Sequence, residues 1–232
     1  MKKFVAVLLA LAMLFTVPAF AFAAEDAEQT PIVSEENEET TAPEESEADS
    51  DETVATISLC TCIYVWPISG HTWIYVHNNS DEPIQVGHYE VPVGQGVSVG
   101  VFSFSVNDGW GIYYNIEAYK ENTKNRMDNV WSKSEELDAN ELETLSNKLL
   151  SYPNYWGFGG NCATFAFTMW NSVTNDNYIS FLIPAITQFM LMVSGAKRGE
   201  LEMYCPSRDN VYRLKGYGEN AHLERASDYT VS

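Results

Sequence analysis

Residues 54–66, Val-Ala-Thr-Ile-Ser-Leu-Cys-Thr-Cys-Ile-Tyr-Val-Trp, are dominated by β-branched and aromatic types and stop at Pro67, which predicts a first strand. After Ser69-Gly70 comes His71-Thr-Trp-Ile-Tyr-Val-His77. The polar, turn-prone Asn78-Asn-Ser-Asp-Glu-Pro83 then separates it from a second β-prone run, Ile84-Gln-Val-Gly-His-Tyr-Glu-Val91. Two such runs around a turn predict a hairpin. Residues 97–106 alternate apolar with small or polar positions, and Gly111-Ile-Tyr-Tyr-Asn115 adds another short run. The first half therefore reads as an antiparallel sheet of four or five strands.

The period changes in the second half. Asp138 with Glu141 three residues on forms a capping box, and Leu142, Leu145, Leu149 and Leu150 mark a helix that ends near Tyr152-Pro153. From Cys162, the apolar residues Phe165, Ala166, Met169, Trp170 and Val173 recur at spacings of three and four, the helical period. Residues 179–193 are strongly apolar, but the run is short and broken by Pro184, so it reads as a buried helix with Gly195 as its stop. Asp209-Asn-Val-Tyr-Arg-Leu214 gives a last short strand. The fold class expected is α+β, an antiparallel sheet with helices packed on it.

Composition changes the picture at the N-terminus. Lys2 and Lys3, an apolar run over 4–17 and Ala21-Phe22-Ala23 have the charged, greasy and small-residue parts of a secretory signal, with cleavage expected after Ala23. The apolar run is short for a membrane span and no lipid-accepting cysteine follows it, so the mature protein is expected to be secreted, without stable membrane insertion. Residues 24–53 hold thirteen Asp and Glu, no Lys or Arg and no aromatic residue, the composition of a disordered acidic linker. Of the formal net charge of −19, residues 1–23 contribute +2, this linker −13 and residues 54–232 −8. An acidic folded part argues against nucleic acid and anionic membrane surfaces as partners. The organisation is thus signal 1–23, linker 24–53 and one domain over 54–232, about 180 residues, enough for a core of its own. Because the linker has nothing to bury, a chain beginning at Thr53 is expected to melt within about two degrees of the mature chain, as read by calorimetry.

The candidate chemistry lies where a glycine-rich loop meets a helix start. Gly157, Gly159 and Gly160 cannot belong to the helix, Asn161 is a suitable N-cap, and Cys162 falls in the first turn. Unpaired N–H groups and the positive end of the helix dipole favour a thiolate there over a thiol. A thiolate nucleophile needs a base and a group that orients the base. His71 follows Gly70 at a strand start, where a side chain can face a cleft. His88 lies on the expected partner strand, and a turn centred near Ser80 and Asp81 would bring residues 88–90 opposite His71. Glu90 shares that face and stays open as a substitute. His77 fits the turn end of the hairpin, and His222 lies in a polar, solvated tail. Cys60 and Cys62 point to one face of their strand and do not bridge each other, while a pairing of either with Cys205 is left open. A zinc site from Cys60, Cys62, His71 and His77 can be imagined, but no second CxxC or HxxxH spacing supports it.

The combination of Gly70-His71-Thr-Trp-Ile-Tyr-Val, a polar residue on the next strand, and Asn161-Cys162-x-x-Phe165 resembles the circularly permuted papain-like superfamily. That superfamily includes lecithin:retinol acyltransferase-like proteins and relatives of NlpC-type cell-wall amidases. The resemblance covers mainly residues 68–91 and 155–175. It implies a domain in which the histidine strand precedes the cysteine helix, with Cys162 as nucleophile, His71 as base and His88 as the third residue. It further implies acyl transfer through a thioester with no cofactor or metal, on peptide or cell-wall amides. Two other readings stay open: the same site acting on a lipid acyl group, and a non-catalytic extracellular binding module on the same scaffold.

Overall fold

In the computed structural model, residues 52–65, 69–103, 109–124, 129–154, 160–179 and 184–226 are described. All of them fall within one unit, Ser46–Ser232. The expected signal, nearly all of the acidic linker and the loop 155–159 before Cys162 lie outside the described residues.

The organising element is an antiparallel sheet of eight strands. These are β1 (Ala55–Val65), β2 (Ser69–Asn78), β5 (Gly96–Phe102), β6 (Gly111–Tyr114), β7 (Trp131–Leu137), β8 (Lys197–Arg198), β9 (Tyr212–Lys215) and β10 (His222–Arg225). Across the sheet they run β10-β9-β6-β5-β2-β1-β7-β8. Two further strands, β3 (Ile84–Val86) and β4 (Tyr89–Val91), form a separate two-stranded sheet. The helices are α1 (Ile116–Lys124), α2 (Ala139–Ser151), α3 (Cys162–Asn171) and α4 (Pro184–Val193). The molecule is accordingly α+β, with a large antiparallel sheet and few helices.

Alternation along β1 and β2 sends side chains to two cores on opposite faces of the sheet. On one face Ile57, Leu59, Ile74, Val76, Val97, Val99 and Val101 meet Leu145 and Leu149 of α2, Phe165, Ala166 and Met169 of α3, and Leu191 of α4. On the other face Cys60, Cys62, Trp73 and Tyr75 pack with Ala118 of α1 and Met203. The central strands are covered on both sides, which explains why β5 is buried at every position.

Local signals account for the helix ends. Asp138 accepts from the N–H of Glu141 while the Glu141 carboxylate accepts from the N–H of Asp138, the expected capping box. Gly195, at φ 91°, follows the end of α4. That helix is only half buried: Leu191 is inaccessible, whereas Phe189, Met192 and Val193 are exposed. Among the described residues no helix is long and apolar enough to cross a membrane.

The expected hairpin of 71–77 with 84–91 does not form. β2 pairs instead with β1 along its length and with β5 from Ile74↔Val99 to His77↔Gly96. The run 84–91 folds back on itself, with Val86 paired to Tyr89 across a two-residue turn of Gly87 and His88. Gly87, at φ 58°, supplies the positive dihedral that such a turn needs at its first central position. Asn78 ends β2 by donating to the carbonyls of Glu82 and Val91 and accepting from the N–H of Ser80, which steers the chain out of the sheet.

Candidate active site

Cys162 is the first residue of α3, and Asn161 caps the helix by accepting from the N–H groups of Ala163 and Thr164, each at 3.0 Å. The Asn161 cap read in the sequence is present, and the thiol lies in the first turn of the helix. His71 is on β2, just past the point where the β2–β5 ladder ends at Ile74. With that ladder ended, the first residues of β2 have an open edge, and the main chain of Thr72 hydrogen-bonds Cys162 there. The imidazole of His71 reaches the same sulfur. It is held between Trp73, stacked at 5.6 Å between centroids, and Phe102 at 4.3 Å.

The group that orients His71 is Glu117. Its Oε1 lies 3.0 Å from Nε2 of His71, and both residues are buried, at 3% and 6% exposure. With Nε2 engaged by Glu117, Nδ1 is the ring nitrogen left for the thiol. The other carboxylate oxygen, Oε2, accepts from the Ser98 hydroxyl at 2.9 Å, and that hydroxyl accepts from the N–H of Ala118 at 3.1 Å. Both oxygens of a buried carboxylate are thus satisfied, as burial demands. Gly100 completes the cradle, because a Cβ there would collide with Oε1 of Glu117 and reach within 3.0 Å of Nε2 of His71.

His88, expected as the third residue, sits elsewhere. It is the second residue of the β3–β4 turn, its N–H donates to the Tyr114 hydroxyl, and it is absent from the groups that act on His71. The register is the physical reason: the hairpin that would set residues 88–90 opposite His71 does not form. Glu90 pairs with Gln85 in the small sheet and is exposed. His77 is on β2, six residues from His71, and His222 is exposed on β10 with Nδ1 3.0 Å from the Asn220 carbonyl. No disulfide joins Cys60, Cys62, Cys162 or Cys205. Among the described residues, no group of three or more His, Cys, Asp or Glu converges as metal ligands.

Glu117 escaped the sequence reading because α1 is short and weakly patterned. One signal was present: Asn115, at a φ of 69° that asparagine tolerates, precedes the helix, and an acidic residue, Glu117 itself, follows in the first turn.

The electrostatics of the three groups are mutually dependent. Burial alone would lower the pKa of His71, but the bonds and charges of Cys162 and Glu117 outweigh it and raise the value from 6.5 to about 9. Burial alone would raise that of Cys162, but the hydrogen bond and charge of His71, with main-chain bonds from Thr72 and Ala163, bring it below the ordinary thiol value. The stable form between these two limits is a thiolate beside an imidazolium. At pH 6 iodoacetamide is expected to alkylate Cys162 far faster than exposed Cys205, and His71→Ala to abolish the difference, as read by peptide mass spectrometry.

No family model matches the chain, and no curated protein and no solved structure matches it.

Proposed function

We propose that this chain is an exported cysteine amidohydrolase of the permuted papain-like type, working through a thioester on Cys162. The observation that carries the reading is the chain of contacts Cys162–His71–Glu117, with the thiol at a helix start and its base held by a buried carboxylate. The order along the sequence, histidine strand before cysteine helix, agrees with the permuted arrangement, and Glu117 takes the orienting role given to His88 from the sequence.

The chemistry follows from the protonation states. The Cys162 sulfur attacks the carbonyl carbon of an amide, a C–S bond forms, and the carbonyl π electrons move onto oxygen. Collapse of that intermediate breaks the C–N bond while Nδ1–H of His71 protonates the departing amine. Neutral His71 then takes a proton from water, which attacks the thioester and releases the acid and the thiolate. Glu117 keeps the ring in place through Nε2–H and offsets the charge of the imidazolium.

The pH dependence has a definite sign. Turnover rises as Cys162 loses its proton and falls as His71 loses its own, so the alkaline limb of kcat/KM is expected at about 9. Alkylation of Cys162, which needs no proton donor, should show no such fall. The direct test is hydrolysis of a panel of peptide and cell-wall stem amides by the mature protein and by Cys162→Ala. Activity that survives in Cys162→Ala would refute the reading.

A second reading, an acyl group from a lipid, is favoured by the apolar side chains that α4 leaves exposed. Phe189, Met192 and Val193 lie just before β8, whose Arg198 pairs with Trp131, which pairs with Thr61, which pairs with Thr72 beside Cys162. This row sets that end of the helix at the end of the sheet that bears the thiol. Release of fatty acid from phospholipid vesicles, with no cleavage of any peptide amide, would select it.

A further inference from the structure

The face of the sheet that carries His71 also carries two small residues of β5, and they act on Glu117 in different ways. Ser98 pairs with Tyr75, and Gly100 lies two residues on, so both face the side on which Glu117 of α1 packs. Gly100 leaves the room that the Glu117 carboxylate fills. Ser98, inaccessible to solvent, bonds to the turn that starts α1 through both its carbonyl and its hydroxyl. Its carbonyl accepts from the N–H of Asn115 at 2.7 Å, its hydroxyl oxygen accepts from the N–H of Ala118 at 3.1 Å, and its hydroxyl proton goes to Oε2 of Glu117 at 2.9 Å. The direction of these bonds is fixed. A main-chain N–H only donates, so the Ser98 oxygen must accept there, and its single proton is left for Glu117. Oε2 is therefore held as an acceptor, with Oε1 facing Nε2 of His71.

We propose that Ser98 is a positioning residue of this site: its hydroxyl, oriented by the N–H of Ala118, fixes the Glu117 carboxylate so that Oε1 holds Nε2–H of His71 and leaves Nδ1 to the thiol. This rests on the reading of Cys162 as the nucleophile and His71 as its base. Without the hydroxyl two buried groups lose their partner together, the Ala118 N–H and Oε2 of Glu117. A buried carboxylate oxygen with no donor is costly, and the Glu117 side chain relieves that cost by turning Oε2 toward another donor, which draws Oε1 off the ring. The effect reaches the thiol through two side chains, Glu117 and His71. Ser98 also does from a strand what an N-cap residue does from within its own helix, because it satisfies an N–H that the first turn leaves over. One hydroxyl thereby sets both the docking of α1 on β5 and the aim of the glutamate that α1 carries.

The test is a double-mutant cycle read on His71 itself. The titratable groups around its ring are Cys62 of β1, its register partner, Glu117 of α1 and Cys162 of α3, with Lys120 of α1 beyond the Phe102 ring. In the mature chain carrying isotope-labelled histidine, the His71 titration midpoint of about 9 is followed by NMR in wild type, Ser98→Ala, Glu117→Ala and the double variant. Ser98→Ala is expected to lower the midpoint by about 0.5–1 pH unit and kcat by about tenfold, with KM held within about twofold. Added to Glu117→Ala, the same change is expected to move neither, because the residue it acts through is gone. Ser98→Cys, close in size with a weaker donor, should move the midpoint the same way by less, and it carries the test if the alanine variant does not fold. A midpoint unchanged or raised by the Ser98 substitutions, or an equal fall with and without Glu117, would overturn the proposal. The expected cycle in a protein that hydrolyses no amide would uphold the positioning of His71 by Ser98 and sink the acyl-transfer reading alone.

Discussion

Cys162→Ala and His71→Ala are expected to eliminate amide hydrolysis, Glu117→Gln to lower it by about one to three orders of magnitude, and His88→Ala to leave it within about twofold. The thiol and imidazole take part in bond making and proton transfer, so nothing in the site replaces them. Glu117 acts through His71. A glutamine keeps the shape and can still accept from Nε2–H through its amide oxygen, but it carries no charge to offset the imidazolium. The His71 pKa, raised to about 9 with Glu117 as a contributing cause, should fall when that charge is removed. Glu117→Gln is therefore expected to move the alkaline limb of kcat/KM to lower pH, a shift that a merely structural defect would not produce. His88 supplies a main-chain N–H to Tyr114, and truncating its side chain leaves that bond in place. A larger loss for His88→Ala than for Glu117→Gln, measured on the same substrate, would reject the assignment of Glu117.

How much of this was readable in advance depended on which interaction fixed each element. The Cys162 helix was legible because its start is local: glycines, an N-cap and helical spacing all lie within one short stretch. The same holds for α2 with its capping box. His71 could be singled out as a strand-start histidine, but its partner is set by the pairing of β2 with β5 and by the packing of α1 over Gly100, contacts between residues far apart in sequence. Single-residue patterns cannot encode such pairings. The run 84–91 looked like one strand because its β-prone residues are nearly continuous, although Gly87 and His88 fold it in two. β7, Trp-Ser-Lys-Ser-Glu-Glu-Leu, escaped for another reason. Only Trp131 and Ser132 pair with β8, so the rest of the strand lies at an edge and carries the charges that edges favour in place of an apolar alternation.

Gly100→Ala is expected to destabilise the fold and disable the site together. Gly100 is buried in β5 and paired with Tyr113, so the strand cannot simply shift outward to admit a methyl group. The added Cβ would occupy the position of Oε1 of Glu117 and crowd Nε2 of His71. Backbone on both sides of Gly100 is held by sheet bonds, which leaves the Glu117 side chain as the part that must move. Overpacking of this kind costs about 1–3 kcal/mol, and the displaced carboxylate also loses its bonds to His71 and Ser98. The expected result is a fall of several degrees in Tm, a turnover loss similar to that of Glu117→Gln, and an alkaline limb moved to lower pH. The double variant Gly100→Ala with Glu117→Ala tests the cause. Once the carboxylate is gone the methyl group has room, so the double variant should lose less stability than the sum of the two single changes, while activity stays low. Additive losses measured by chemical denaturation, or a Gly100→Ala protein with wild-type Tm and kcat, would show that Gly100 does not hold Glu117 against His71.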